Sequence, residues 1–145
     1  MRPIREGLFT WPAERPELLG SRCTDCGEVT FPAQADCRRC GGRDCRVEPI
    51  GHRGTLWSWT VQRFLPKPPY ASGETEETFR PYGVGYVELP SGVKVEARLT
   101  ENRPERLVIG MPMRLVVAPF RTDPESGEVI LGFYFAPEED EEEAA

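Results

Sequence analysis

Four cysteines are the residues of this chain whose type and spacing could do chemistry. They form two matched pairs, Cys23-Thr-Asp-Cys26-Gly and Cys37-Arg-Arg-Cys40-Gly. Two residues inside each pair allow both sulfurs of a tight turn to face one ion, and the following glycine adopts positive φ easily. The pattern predicts a closed site of four thiolates that binds a structural Zn²⁺ and leaves no position open for catalysis.

Two disulfides are an alternative use of the same cysteines, typical of small secreted domains. The N-terminal sequence has no apolar run of the length that a signal peptide needs, and no stretch is apolar enough to span a membrane. A redox Cys-x-x-Cys normally accompanies a βαβ pattern, and none lies beside either pair. We therefore expect a reduced, cytoplasmic protein without a membrane partner, in which Cys45 is a spare thiol.

The net charge of −6 comes from one end of the chain. The acidic run from Glu138 to Glu143 supplies all six charges, so residues 1–137 balance 18 basic against 18 acidic groups. Such a run is typical of a disordered, solvated tail. A balanced body predicts weak electrostatic affinity for phosphate chains.

The residues before the ribbon carry apolar side chains at a spacing that fits one face of a short helix. These residues are Leu8, Phe9, Trp11, Leu18 and Leu19. Pro12 and Pro16 would cap or break such a helix. Trp11 would either cover the zinc module or form part of an arm that docks a partner.

Five short strands are predicted after the ribbon, at 54–64, 82–89, 93–99, 111–117 and 129–135. Strict alternation in the first strand would place Trp57 and Trp59 on one face and Leu56 on the other. Gly83 and Gly85 share a face of the second strand, which indicates close approach of another backbone. Fifteen prolines and fourteen glycines agree with strands and turns over long helices.

A short helix is predicted between the third and fourth strands, with Asn102 as its N-cap and Pro104 in its first turn. Five strands with a small helix at that point are in the order of an OB-fold barrel. The prediction is thus an all-β protein. It has an N-terminal helical arm (1–20), a zinc ribbon (21–48), a five-stranded OB-fold barrel (49–137) and a disordered acidic tail (138–145).

With these motifs in this order, the chain resembles the domain-of-unknown-function family thirty-five. The resemblance extends from about Leu8 to Phe135. It rests on several sequence motifs whose combination is specific to the family. They are the two cysteine pairs with their glycines, Phe31-Pro32, Gly54-Thr-Leu-Trp-Ser-Trp-Thr-Val and Val108-Ile-Gly-Met-Pro-Met.

The resemblance implies a non-catalytic subunit of a thiolase-fold enzyme, either a thiolase or a retro-aldolase acting on acyl-CoA thioesters. Steroid side-chain and aromatic degradation are pathways in which such relatives occur. It further implies CoA or acyl-CoA shared with the partner. We expect a two-plus-two hetero-oligomer with this chain at its periphery, and a separate hydratase subunit is a further candidate partner.

The long connection 65–81 joins the first two strands, where OB-folds often close over ligands. Basic residues near this connection, Arg63, Lys67 and Arg80, are the candidates for contact with the phosphates of CoA. They are also typical of ordinary solubilising charges. The single histidine, His52, lies outside any nucleophile or phosphate-loop motif, and we expect a surface or structural role for it.

Nucleic-acid binding is the alternative function, because OB-folds and zinc ribbons both do that work. Trp57, Trp59, Phe64 and Tyr82 would supply stacking aromatics. The balanced charge of the body argues against it, since affinity for phosphate chains grows with the number of cations that meet them.

Overall fold

The computed structural model describes residues 1–69 and 72–138, and these residues fold almost entirely as β-structure. Nine strands and one 3₁₀ turn are present in this part of the chain. The strands are β1 (Arg2–Pro3), β2 (Leu18–Cys23), β3 (Val29–Thr30), β4 (Cys45–Gly51), β5 (Arg53–Gln62), β6 (Tyr82–Glu88), β7 (Lys94–Leu99), β8 (Pro112–Thr122) and β9 (Val129–Pro137), and the 3₁₀ turn is Pro104–Arg106.

Five of the strands close into a barrel in the order β9-β7-β6-β5-β8, and β8 pairs again with β9. All these pairings are antiparallel except that of β7 with β9, in which Arg98 lies beside Tyr134 and Leu99 beside Phe135. One parallel pair between the third and fifth barrel strands, with the fourth strand closing on the first, is the topology of an OB-fold. The predicted five-stranded barrel is confirmed.

The ribbon is a separate three-stranded sheet in the order β3-β2-β4, but its apolar residues join the barrel's core. Leu18 and Ile50 from the ribbon sheet lie in one buried cluster with Leu56, Val87 and other barrel residues. At the junction the ring of Phe133 on β9 meets Phe31 of the ribbon edge-on, with 5.7 Å between ring centroids. The two modules are therefore packed as one body around a shared core.

The predicted N-terminal helix is wrong. Thr10 pairs with Glu17 through both backbone and hydroxyl, and Phe9 bridges to Leu18, so the segment folds back antiparallel onto β2. Two prolines between these partners cannot donate the bonds that a helix requires, and Phe9 gains burial in the core instead. Trp11 stays 37% exposed, and Phe9, rather than Trp11, is the aromatic residue of this segment that packs in the core.

A bulge in β5 overturns the expected division of its faces. The pairing with β6 shifts between Leu56 and Ser58, which leaves Trp57 as the extra residue. Leu56 is buried and Trp59 packs against the core, while Trp57 remains 52% exposed. The close approach expected at Gly85 is confirmed, because a Cβ there would lie 2.6 Å from the carbonyl oxygen of Ser58.

The connection between β7 and β8 is organised by a buried carboxylate. Asn102 does not cap the turn, since its side-chain amide donates to the carbonyl of Pro81. Glu101, only 6% exposed, accepts instead from the backbone N–H groups of Asn102 and Arg103 and from the Arg103 guanidinium at 2.8 Å. Arg106 approaches its other oxygen at 3.5 Å. The Arg103 side-chain bond is the main cause that lowers the pKa of Glu101 to about 2.

Most of the predicted acidic tail lies outside the described residues. Glu138 is described, and its carboxylate pairs with Arg53 at 3.0 Å. Across residues 1–69 and 72–138, no helix has the length and apolar character to cross a lipid bilayer.

We predict that Glu101→Gln destabilises the protein at neutral pH by about 2 kcal/mol, because two arginines lose their ionic partner and the local N–H groups lose a charged acceptor. The native pKa lies below the ordinary value of 4.5. The carboxylate therefore stabilises the fold fully above about pH 4.5 and progressively less as pH falls toward 2. Urea unfolding of wild type and variant between pH 7 and pH 3 measures this, and the difference should shrink with falling pH.

Glu105→Gln is the matched control, because Glu105 lies in the same turn but is exposed. Comparing the two variants cancels acid effects common to the whole protein, including loss of a bound metal. Equal stability of the two variants at neutral pH would contradict the role given to Glu101.

Candidate functional site

The two cysteine pairs sit in two matching turns. In each turn the N–H of the glycine after the pair donates to the carbonyl of the first cysteine, Gly27 to Cys23 at 2.9 Å and Gly41 to Cys37 at 3.0 Å. Both glycines take positive φ, 81° and 78°, which residues with a Cβ rarely adopt. The two turns thus share one hydrogen-bond pattern and one glycine conformation, and their sulfurs face each other.

The four sulfurs converge to within 4.8 Å of one another. Cys23 and Cys40 approach to 3.6 Å, as do Cys26 and Cys37. A tetrahedron with Zn–S bonds of about 2.3 Å has edges of about 3.8 Å, so the cage has the dimensions of a Zn²⁺ site. Each close contact joins one cysteine of the first pair to one of the second. That arrangement is what a shared metal requires.

Proton equilibria in the cage show why it suits a cation. The N–H of Cys26 lowers the pKa of the Cys23 thiol to about 7. At Cys40 the N–H of Gly42 acts in the same direction, but the neighbouring thiols of Cys23 and Cys26, with burial, outweigh it and raise the pKa to about 12. The Cys23 thiol ionises readily, and its negative charge then opposes ionisation of the neighbouring Cys40 thiol. A divalent ion removes that opposition, so metal binding releases protons.

Residues next to the four cysteines hold their sulfurs in position. The Gly42 N–H donates to the Cys40 sulfur at 3.4 Å, and a Cβ on Gly42 would lie 3.3 Å from the sulfurs of both Cys23 and Cys40. The buried Ser21 hydroxyl bonds Thr30 on β3 and accepts from the N–H of Gln34, each at 2.9 Å. These contacts tie the hairpin that carries the first pair to the loop that leads to the second.

Cys45 pairs with Cys23 across β2 and β4 but does not belong to the group of four close sulfurs. Burial raises the pKa of its thiol to about 11, with the charge of Cys23 as the next cause. A thiol so resistant to ionisation is a poor ligand and a poor nucleophile at neutral pH. The role of spare thiol remains the prediction for this residue.

The three basic residues predicted to meet CoA all lie in the connection between β5 and β6. Arg63, Lys67 and Arg80 are exposed. The Arg80 guanidinium donates to the carbonyls of Glu77 and Phe79 within its own loop, at 3.4 and 3.0 Å. Their contact with CoA stays a prediction.

A cleft on the outer face of the barrel contains functional candidates that sequence reasoning missed. The guanidinium carbon of Arg98 lies 3.7 Å from the ring centroid of Tyr82, and 5.8 and 5.9 Å from those of Phe120 and Tyr134. These residues come from β6, β7, β8 and β9, so no local sequence motif could have predicted that they lie together. The alternation of β7, which points Lys94, Glu96 and Arg98 outward, was the available signal.

Comparison with known proteins agrees with both modules. Residues 10–46 match the family model of the rubredoxin-like zinc ribbon domain of ChsH2, and residues 47–118 match that of the ChsH2 C-terminal OB-fold domain. A DUF35 domain-containing scaffold protein of Pyrococcus furiosus is 32% identical over 124 residues, covering 86% of this chain and 85% of that protein.

Two further relatives are named for enzymes. The benzoylsuccinyl-CoA thiolase subunit BbsA of Thauera aromatica is 31% identical over 130 residues, covering 88% of this chain and 83% of BbsA. Among solved structures, the Ltp2-ChsH2(DUF35) aldolase superposes with a TM-score of 0.59 and 27% identity, over 83% of this chain and 84% of that chain.

Fold and site together define a protein with a zinc ribbon followed by an OB-fold barrel. The chain belongs to the DUF35 family, whose members include the scaffold protein and the thiolase subunit just described.

We predict one equivalent of tightly held zinc per chain. Replacing any of Cys23, Cys26, Cys37 or Cys40 by Ser should remove the metal and destabilise the ribbon by several kcal/mol, because binding and folding of such sites are coupled. Metal analysis of the purified protein, with unfolding followed by circular dichroism, measures both effects. Soluble, folded protein without zinc would contradict the assignment.

Gly42→Ala is a subtler test of the cage, because it keeps all four ligands but adds a methyl group 2.6 Å from the Asp25 carboxylate and 3.3 Å from the sulfurs of Cys23 and Cys40. We expect zinc affinity to fall by roughly tenfold or more, measured by competition with a chromophoric chelator. Cys45→Ser is the control and should retain wild-type affinity. Unchanged affinity in Gly42→Ala would show that the turn can open without cost.

Proposed function

We propose that this chain is a non-catalytic, zinc-binding subunit that associates with a thiolase-fold enzyme and supports assembly of the complex and binding of its CoA thioester. The observation that carries the proposal is the likeness along both modules to BbsA and to the ChsH2 part of an aldolase, over more than four-fifths of each chain. The names of these relatives place them in a thiolase and an aldolase. The proposed partner is therefore a thiolase or a retro-aldolase.

An exposed apolar surface supports the existence of a partner. Trp57 is 52% exposed, and Val108 and Ile109 are 61% and 58% exposed. The backbone of Leu56 donates to Met111 and accepts from the N–H of Gly110, so the strand carrying Trp57 and the turn carrying Ile109 are bonded side by side. We call Trp57, Val108 and Ile109 the apolar patch. Neighbouring exposed apolar side chains on a surface often mark an interaction site.

The proposal assigns catalysis to the partner. Four thiolates at this spacing would fill a tetrahedral zinc site and leave no open position for a substrate or a water. His52, the single histidine of the chain, lies between β4 and β5, where its carbonyl accepts from the N–H of Leu115 at 2.7 Å. That backbone bond gives the residue a structural position at the junction of ribbon and barrel.

Arg63, Lys67 and Arg80 are proposed to meet the phosphates of the thioester once the partner is bound, because exposed cations close to a ligand path raise its local concentration. The acyl group would be shaped by the partner's tunnel, with steroid side-chain and aromatic acyl groups as the proposed classes. A cytoplasmic two-plus-two assembly completes the proposal. A hydratase subunit is a further proposed member of it.

Nucleic-acid binding is the second candidate, favoured by the aromatic outer face of the barrel. Trp57 and Tyr82 lie on that face, and Arg98 stacks on Tyr82. Strongly salt-dependent retention on heparin or single-stranded DNA would support it, whereas a thiolase subunit should be retained by neither.

We predict co-purification with a thiolase-fold enzyme when the two are co-expressed and only this chain carries the tag. Ile109→Asp should weaken association tenfold or more, because a charge would be buried in an apolar interface. Val47→Asp is the control, since Val47 is equally exposed, at 63%, but lies on β4 of the ribbon. A lone monomer beside its candidate enzyme at micromolar concentration would overturn the proposal.

Charge reversal tests the contact with CoA separately. Lys67→Glu and Arg80→Glu should each raise the complex's KM for the thioester severalfold and leave association intact, because exposed charges contribute modestly to affinity. Arg46→Glu, a reversal of an exposed cation on the ribbon, should change neither. Steady-state kinetics with analytical ultracentrifugation measures the pair of effects. Unchanged KM in both loop variants would remove these residues from the ligand path.

A further inference from the structure

The apolar patch has an acidic border on the side where the chain leaves the barrel. Val108 of the patch lines a groove that Glu105 and Glu138 also line. Glu138 follows directly after β9, and its carboxylate pairs with Arg53 at 3.0 Å. Two acidic residues therefore lie beside the patch, and one of them is the point from which the acidic run of the sequence continues.

The position of Glu138 keeps the rest of the acidic run near the patch. Residues 139–143 are Glu-Asp-Glu-Glu-Glu, and they follow Glu138 without interruption. Five residues of chain span at most about 18 Å. Because the Debye length is about 8 Å at physiological ionic strength, these five negative charges stay within roughly two screening lengths of the groove. Chain connectivity alone therefore gives this side of the barrel a negative field.

The described cations beside the patch have carboxylates as partners. Lys94 lies 4.9 Å from the ring centroid of Trp57 and pairs with Glu88 at 3.8 Å. Arg106, which lines the groove, approaches Glu101 at 3.5 Å. The five acidic residues after Glu138 therefore add their charge to surroundings that are otherwise close to neutral.

Charge of this sign selects among the partners that an apolar patch could accept. Nucleic acid carries the same sign of charge as the run and is repelled by it. A second copy of this chain, docked patch to patch, would bring two acidic runs to one symmetric interface. A protein that surrounds an apolar surface with lysine and arginine meets attraction instead, and that attraction acts before the two surfaces touch.

We propose that the apolar patch and its acidic border dock a partner surface that is apolar at its centre and rich in lysine and arginine where the run after Glu138 meets it. The inference rests on the proposed function and specifies the chemistry of the docking surface on the thiolase-fold enzyme. Exposed charges contribute modestly once two proteins are in contact, but they steer the encounter. The run therefore acts on the association rate and not on the dissociation rate.

The test measures the binding kinetics of the full zinc-loaded chain with the thiolase-fold enzyme that co-purifies with it. The neutralised variant carries Glu139→Gln, Asp140→Asn, Glu141→Gln, Glu142→Gln and Glu143→Gln, which remove the charge and keep the length. We expect its association rate constant to fall about tenfold at low salt and its dissociation rate constant to change less than about twofold. Raising NaCl from about 0.02 to 0.3 M should slow the wild type steeply and the variant only slightly.

Two single charge reversals locate the effect. Glu105 lines the groove, whereas Glu125 is exposed in the turn between β8 and β9. That turn lies at the far end of β9, which runs about 25 Å from Val129 to Pro137. Glu105→Lys should slow association severalfold, and Glu125→Lys should leave the rate unchanged. Equal effects of both reversals would assign the steering to net charge alone and refute the acidic border.

The remaining outcomes separate this inference from the proposed function. An unchanged association rate in the neutralised variant overturns the inference alone, because association with the enzyme has then been observed. A faster rate overturns it too, since the partner's docking surface would then be acidic. A wild-type chain that does not associate with the enzyme overturns both. Self-association of the chain in analytical ultracentrifugation, abolished by Ile109→Asp, would make a second copy the occupant and overturn the inference.

Discussion

Four thiol sulfurs held within 4.8 Å of one another form the constraint on which the rest of the ribbon depends. Neutral thiols gain little from such crowding, and thiolates repel each other, as the opposed pKa shifts of Cys23 and Cys40 show. A divalent cation changes the sign of that interaction and makes the arrangement favourable. The ribbon has few other stabilising contacts, since its three strands contribute only Leu18 and Ile50 to the buried apolar cluster. Its stability must therefore come from the metal on one side and from contact with the barrel on the other.

Phe133 provides much of that contact. Its ring meets Phe31 of the ribbon and Phe9 of the N-terminal segment edge-on, with centroid distances of 5.7 and 6.5 Å. The same residue lines the cleft that contains Arg98. A single side chain on β9 thus joins the ribbon and the N-terminal segment to the barrel. Removal of the metal would therefore be expected to loosen the packing around this ring.

The parts of this structure that the sequence predicts are those encoded by local spacing. The cage could be predicted from the cysteine pairs and the glycines that follow them. The barrel could be predicted from the alternation of β7 and the order of the strands. Errors arose where tertiary contacts compete with a local pattern. Phe9 gains more from the shared core than from a helix interrupted by prolines, and Trp57 is displaced by a bulge that alternation cannot reveal. Asn102 does not cap the turn because its side-chain amide bonds the carbonyl of Pro81, which is distant in sequence. The cleft was missed for a similar reason, since its aromatic walls come from strands far apart in sequence.

The apolar patch and the cleft lie close together on the outer face of the barrel. Trp57 packs edge-on against Tyr86, while Arg98 stacks on Tyr82, and both tyrosines project from the same face of β6. Four residues of strand separate them by about 13 Å. A partner that covers the patch would therefore reach to within one small-molecule length of the cleft. In the assembly proposed above, such a partner and the barrel would form adjoining walls, and no conformational signal through the barrel would be needed to link them. The barrel is closed where β8 pairs with β9 from Met113 to Thr122, which suits it to act as a fixed wall.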